Sequence, residues 1–88
     1  MLERKFSTRF KKDLKKYEHK KEVIKELNEV LKLILSKKKL PEKYKDHDLS
    51  GSYVSNKECH IKPDVLLIYQ VDERLLYLYR IGSHSELF

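Results

Sequence analysis

The sequence predicts an α+β fold, a β-α-α-β-β-β chain in which an antiparallel sheet is covered on one face by a helical hairpin. Three features predict it. Apolar residues recur at helical spacing in two consecutive segments ahead of residue 37. The period changes to two after Gly51. Three β-rich runs then follow with short connections, which favour an antiparallel meander. At 88 residues the chain is expected to be a single domain, residues 1–88.

Each element has its own signal. "LERKF" (2–6) reads as a short first strand. Ser7 and Thr8 offer N-cap oxygens, and Phe10, Leu14 and Tyr17 mark an amphipathic helix to about Glu18. After the polar "EHKK", residues Val23, Ile24, Leu27, Val30, Leu31, Ile34 and Leu35 form the broad stripe of a second helix, to about Ser36. Segment 36–52 contains Pro41 and Gly51, loses all periodicity and reads as a loop. A strand is expected at Glu58–Lys62. "DVLLIYQV" is nearly all apolar, as suits a central strand buried on both faces. "VDERL" supplies a turn and "LLYLYRI" the last strand. "GSHSELF" follows a glycine and reads as a terminal tail, either ordered over the sheet or frayed.

Twenty Lys and Arg stand against 14 Asp and Glu, a net charge of +6. Such a field favours polyanions, nucleic acid above all. Lysine predominates among the cations, and lysine binds phosphate as a point charge rather than reading bases. One cysteine excludes an internal disulfide and a cysteine-cluster zinc site. No run approaches the ~18 apolar residues of a membrane span, and no apolar core of signal-peptide length opens the chain. The expectation is a cytoplasmic protein without membrane contact.

"ECHIKPD" (58–64) crowds titratable groups around a proline. In an extended strand Glu58, His60 and Lys62 face one way and Cys59 and Ile61 the other. Metal binding by His47, His60, His84 and Cys59 matches no compact ligand spacing, so no metal and no cofactor is expected. Cys59 reads as a small core hydrophobe. His19, among lysines, reads as solvated. Acid–base chemistry suits the remaining histidines, because imidazole exchanges protons near neutral pH. RNA cleavage by 2′-hydroxyl attack needs a base, an acid, a cation for the phosphorane and a flat surface for a base. His47, His60, His84, Asp64, Arg80, Tyr53 and Phe88 could supply them. Structural alternatives stand beside this: His60 as a half-buried strand residue, Asp64 as a turn former, Arg80 in a rim salt bridge.

"DHDLSG", "ECHIKPDVLLIY" and "RIGSHSELF" together resemble the YafQ branch of the RelE-type toxins, the ribosome-dependent mRNA endonucleases of bacterial type II toxin–antitoxin modules. The family's His-x-Leu loop (His47-Asp48-Leu49), His-x-x-Pro-Asp strand end (His60 to Asp64) and Arg-x-Gly-Ser-His-x-x-Leu-Phe tail (Arg80 to Phe88) are all present, in order and at compatible spacing. The resemblance spans the chain and implies a RelE-like fold. It implies that His47, His60, Asp64 and His84 are the proton-transfer set, with His84 the acid and Asp64, His47 or His60 the base. It further implies that Arg80 stabilises phosphate charge, that Phe88 supports the site or stacks on RNA, and that Glu58 is a supporting acid. Val65 stands where some relatives have Trp, leaving stacking to Tyr53 or Phe88. Lys62 beside Asp64 would favour the ionised carboxylate.

The same resemblance implies metal-independent cleavage of translated mRNA. Its implied partners are a cognate antitoxin, mRNA in the ribosomal A-site and ribosomal RNA. Loop 36–45 and the first helix would contact ribosomal RNA, and Lys43, Lys45, Lys57 and Lys62 are the expected RNA-binding cations. Two other classes fit the composition: a non-catalytic RNA- or ribosome-binding module, and a protein-interaction domain with solvating lysines.

Overall fold

A computed structural model describes residues 2–49 and 56–88. The strands are β1 (Glu3–Phe6), β2 (His47–Asp48), β3 (Lys57–Lys62), β4 (Val65–Val71) and β5 (Leu75–Gly82). The helices are α1 (Thr8–Lys15), α2 (Lys21–Leu35) and α3 (His84–Leu87), with a 3₁₀ turn at Glu42–Tyr44. The strands form one sheet in the order β1-β5-β4-β3-β2.

Local chemistry explains most boundaries. The Ser7 hydroxyl caps α1 by accepting from the Phe10 amide at 2.9 Å, and it donates to the Tyr79 carbonyl at 2.6 Å. That second bond ties the start of α1 to β5. α2 ends in a Schellman pair: Lys37 N–H donates to the Ile34 carbonyl and Lys38 N–H to the Leu33 carbonyl. Lys37 takes the left-handed conformation this requires (φ 59°). The β4–β5 hairpin turns on Asp72, whose carboxylate accepts from the Arg74 and Leu75 amides at 2.8 Å each.

The sheet departs from expectation in two places. β1 pairs with β5 in parallel, so the sheet is mixed rather than antiparallel. A parallel neighbour needs a long crossover, and here nearly the whole chain lies between the two strands. Periodicity locates strands but does not orient them. The loop 36–52 also contains β2, whose two residues pair with Glu58 and Lys57, a run too short to show a period.

The main core lies between the helices and one sheet face. Phe10, Val30, Cys59, Leu67, Leu76, Leu78 and Ile81 are all at most 1% exposed there. Leu66 and Ile68 point to the opposite face, where Leu87 of α3 covers them. The terminal segment is therefore an ordered helix over the second face. Gly82 permits this return: a Cβ there would stand 3.2 Å from Glu86 Oε1 and 3.3 Å from Leu87 Cδ2.

Candidate active site

The second sheet face collects most of the candidate residues. Paired residues on adjacent strands share a face. Glu58 pairs with Ile68 and with His47, and His60 pairs with Leu66. The same two β4 residues pair on their other side with Arg80 and Gly82. Two rows thus cross the sheet, Glu58–Ile68–Arg80 and His60–Leu66–Gly82. Each spans about 10 Å, two strand spacings. α3 rises from the Gly82 end.

On the β2–β3 side, Glu58 is the centre. Its side chain is 8% exposed, and its Oε1 lies 3.3 Å from His47 Nε2 and 3.6 Å from His60 Nε2. His47 Nδ1 lies 2.8 Å from the Lys45 carbonyl. A carbonyl only accepts, so Nδ1 carries the hydrogen, and Nε2 is the nitrogen turned to the carboxylate. Lys45 adopts a left-handed conformation (φ 48°) just ahead of His47. The histidine rings are 6.4 Å apart. A buried carboxylate gripped by two imidazoles can orient either one and pass a proton between them.

On the α3 side, His84 and Phe88 lie on one turn with ring centroids 5.1 Å apart, and both are exposed. Ser83 caps the helix, and with Glu86 it forms a reciprocal capping box. The Glu86 carboxylate accepts from Ser83 N at 2.8 Å, Lys16 Nζ at 3.1 Å and the Tyr17 hydroxyl at 3.3 Å. The Ser83 amide first, then Lys16, lower the Glu86 pKa to about 2. Burial, then the Glu86 charge, raises that of Tyr17. Glu86 thus fastens the His84 helix to the end of α1. Asp64, at the β3–β4 turn, lines a cleft with Lys16, Tyr17, Ser83 and Glu86, beside the base of α3.

Arg80 is held by a partner that sequence reading missed. Its Nε donates to Asp13 Oδ2 at 2.7 Å and its Nη2 to Oδ1 at 3.1 Å. Asp13 is 5% exposed and also accepts from the Ile81 amide at 3.2 Å. The clue was an acid on the buried stripe of Phe10, Leu14 and Tyr17, where only a paired carboxylate is affordable. Glu86 had a clue too, because Ser83-His-Ser-Glu86 is a capping-box pattern.

The lysines divide. Lys43, Lys45 and Lys62 share with His60 a groove of about 370 Å³. Lys62 nevertheless does not sit on the His60 face. A bulge after His60 pairs it with Val65, on the helix face, and its Nζ lies 3.8 Å from Glu22. Lys57 lies apart from the histidines. It pairs with core-facing Tyr69 and forms a 2.9 Å ion pair with Asp46, which also accepts from the Tyr69 hydroxyl. Cys59 is buried against the main core, and burial holds its thiol pKa far above the usual value. Tyr53 falls outside the described residues.

A family model described as "Bacterial toxin of type II toxin-antitoxin system, YafQ" matches residues 2–88. The chain belongs to this YafQ family. The mRNA interferase toxin YafQ of Escherichia coli K12 is 33% identical over 84 residues, which is 94% of this chain and 91% of that protein. The E. coli DinJ–YafQ complex contains a chain with TM-score 0.88 and 31% identity, matched over 100% of this chain and 99% of that one. A metal-bound toxin from Helicobacter pylori is 44% identical, with TM-score 0.90 and full coverage of both chains. Among the described residues here, no group of three His, Cys, Asp or Glu side chains is placed to hold a metal ion. No helix among them is long and apolar enough to cross a membrane.

Proposed function

We propose that this YafQ-family toxin is an endoribonuclease that cuts translated mRNA on the ribosome, by attack of a 2′-hydroxyl on the neighbouring phosphorus. The observation that carries the reading is the His47–Glu58–His60 cluster, facing the same sheet surface over which α3 carries His84 and Phe88. A phosphate above Leu66 and Ile68 would lie between the two groups. His60, His47 or Asp64 removes the 2′-hydroxyl proton, and Glu58 orients the imidazoles. As the 2′-oxygen bonds to phosphorus, Arg80, aimed by Asp13, steadies the phosphorane. His84 gives its proton to the departing 5′-oxygen. Phe88, 55% exposed beside His84, offers a surface for base stacking. Lys43 and Lys45 in the His60 groove hold the RNA backbone, with binding that weakens as salt rises. A cognate antitoxin silences the chain by covering this surface.

The test is expression without an antitoxin, followed by growth and by mapping of new 5′ ends on translated messages. Wild type is expected to stop growth and cut, and His84→Ala to do neither. A His84→Ala variant as toxic as wild type would remove that residue from the acid role. Ribosome binding without new 5′ ends would make the chain a non-catalytic RNA-binding module instead.

A further inference from the structure

One aromatic pair on the catalytic face is unused by this mechanism. Tyr77 pairs with exposed Gln70 on β4 and with Lys5 on β1, away from the main core. Tyr79 packs against the Leu66, Ile68 and Leu87 cluster. Both are half-buried. Their rings meet edge to face, with centroids 4.4 Å apart and planes at 61°. Neither hydroxyl bonds to another described residue, so no polar tie explains two adjacent tyrosines here.

We propose that Tyr77 and Tyr79 form a base-stacking subsite for single-stranded RNA, holding a nucleotide beside the one that is cut. The inference rests on the endonuclease reading and extends its substrate contacts across the sheet. Tyr79 adjoins Arg80 in the chain, and register places Arg80 two strand spacings, about 10 Å, from Glu58. A strand threaded past the histidines and α3 reaches β5 with its next base over these rings. An edge-to-face pair does not consume its π-faces in mutual stacking, so a ring face remains for a base. Sheet-borne aromatics are a general solution for unpaired RNA, since every base has a face to stack. Lys5, in register with Tyr77, adds a cation for the phosphate of that nucleotide. The subsite takes a base of any identity by stacking, and it biases cleavage toward positions whose neighbouring base stacks strongly.

The experiment compares wild type, a Tyr77→Leu/Tyr79→Leu pair and a Tyr77→Phe/Tyr79→Phe pair on a translated message, varying the concentration of programmed ribosomes. The Leu pair is expected to raise the half-saturating concentration roughly 5- to 150-fold, the loss of one stacked base, with its maximal rate little changed. The Phe pair is expected to match wild type, because it keeps the rings and loses only hydroxyls. If the Leu pair melts early, Tyr77→Leu alone carries the comparison. A folded Leu variant that saturates like wild type overturns the subsite and leaves the endonuclease intact. A wild type that cuts nothing overturns both. Weakened antitoxin binding with unchanged cleavage gives the surface to the protein partner instead, and also overturns the proposal.

Discussion

Replacing Glu86 by glutamine should loosen the helix that carries His84 without touching the sheet. Three donors converge on this carboxylate, from Ser83, Lys16 and Tyr17. They depress its pKa from 4.5 to about 2. That depression would correspond to about 3 kcal/mol if the group were shielded from water. Its side chain is 37% exposed, and screening reduces the figure to about 1–1.5 kcal/mol. Because the folded pKa is lowered, this stabilisation is complete above pH 4.5 and is lost as pH falls through about 2. The four-residue helix is also held by the Ser83 hydroxyl cap and by Leu87 packed on Leu66 and Ile68. The assay is amide exchange at Leu87 and Phe88, whose N–H groups bond to the Ser83 and His84 carbonyls, with cleavage rates measured in parallel. Glu86→Gln should speed exchange at those amides about 5- to 10-fold. It should also slow cleavage by about 10- to 100-fold, the effect of a proton donor displaced by an ångström. Wild-type exchange together with wild-type cleavage in Glu86→Gln would refute the view that Glu86 positions His84.

Two further expectations concern buried groups. Asp13→Asn takes the carboxylate charge away from the Arg80 guanidinium, and loss of one charge from a buried pair costs about 3–5 kcal/mol. A thermal melt should show the midpoint falling by more than about 10 °C; a fall of only a degree or two would mean that the pair contributes little. Cys59 should resist alkylation in the native protein and react fully in denaturant. Rapid native labelling would contradict its placement in the main core.

The fold was legible wherever an element is long enough to show its period. α2 announces itself because every turn meets the core, and β4 because its apolar run is buried on both faces. β2 could not be read, since two residues have no period and their partners are remote in sequence. The parallel pairing of β1 is likewise a property of the closed sheet. The candidate site was marked by motif, and its geometry was only half legible by physics. Alternation correctly put Glu58 and His60 on one face and Cys59 on the other. It could not show that His47, across a loop, would take the other side of the Glu58 carboxylate. Asp13 and Glu86 were readable in principle, one as an acid on an apolar stripe and one as the end of a capping box.

Two extra residues decide which cations meet the histidines. Leu78 and Ile81 both belong to the main core although three positions separate them, which strict alternation forbids. The bulge beside Tyr79 resolves the conflict by shifting the register between Tyr69–Leu78 and Ile68–Arg80. It leaves the Ile81 amide to Asp13 and sets Arg80 against the same carboxylate. On β3 the bulge after His60 does the reverse. It carries Lys62 to the helix face and Glu22, away from the face that simple alternation gave it. A one-residue slip moves every following side chain to the other face, so these two slips set the charge around the site as much as composition does. A lysine is withdrawn from beside His60, and an arginine locked by a buried carboxylate is supplied two strands away. A fixed guanidinium suits a charge that develops only in the transition state better than a mobile ammonium does, because it needs no reorganisation when that charge appears.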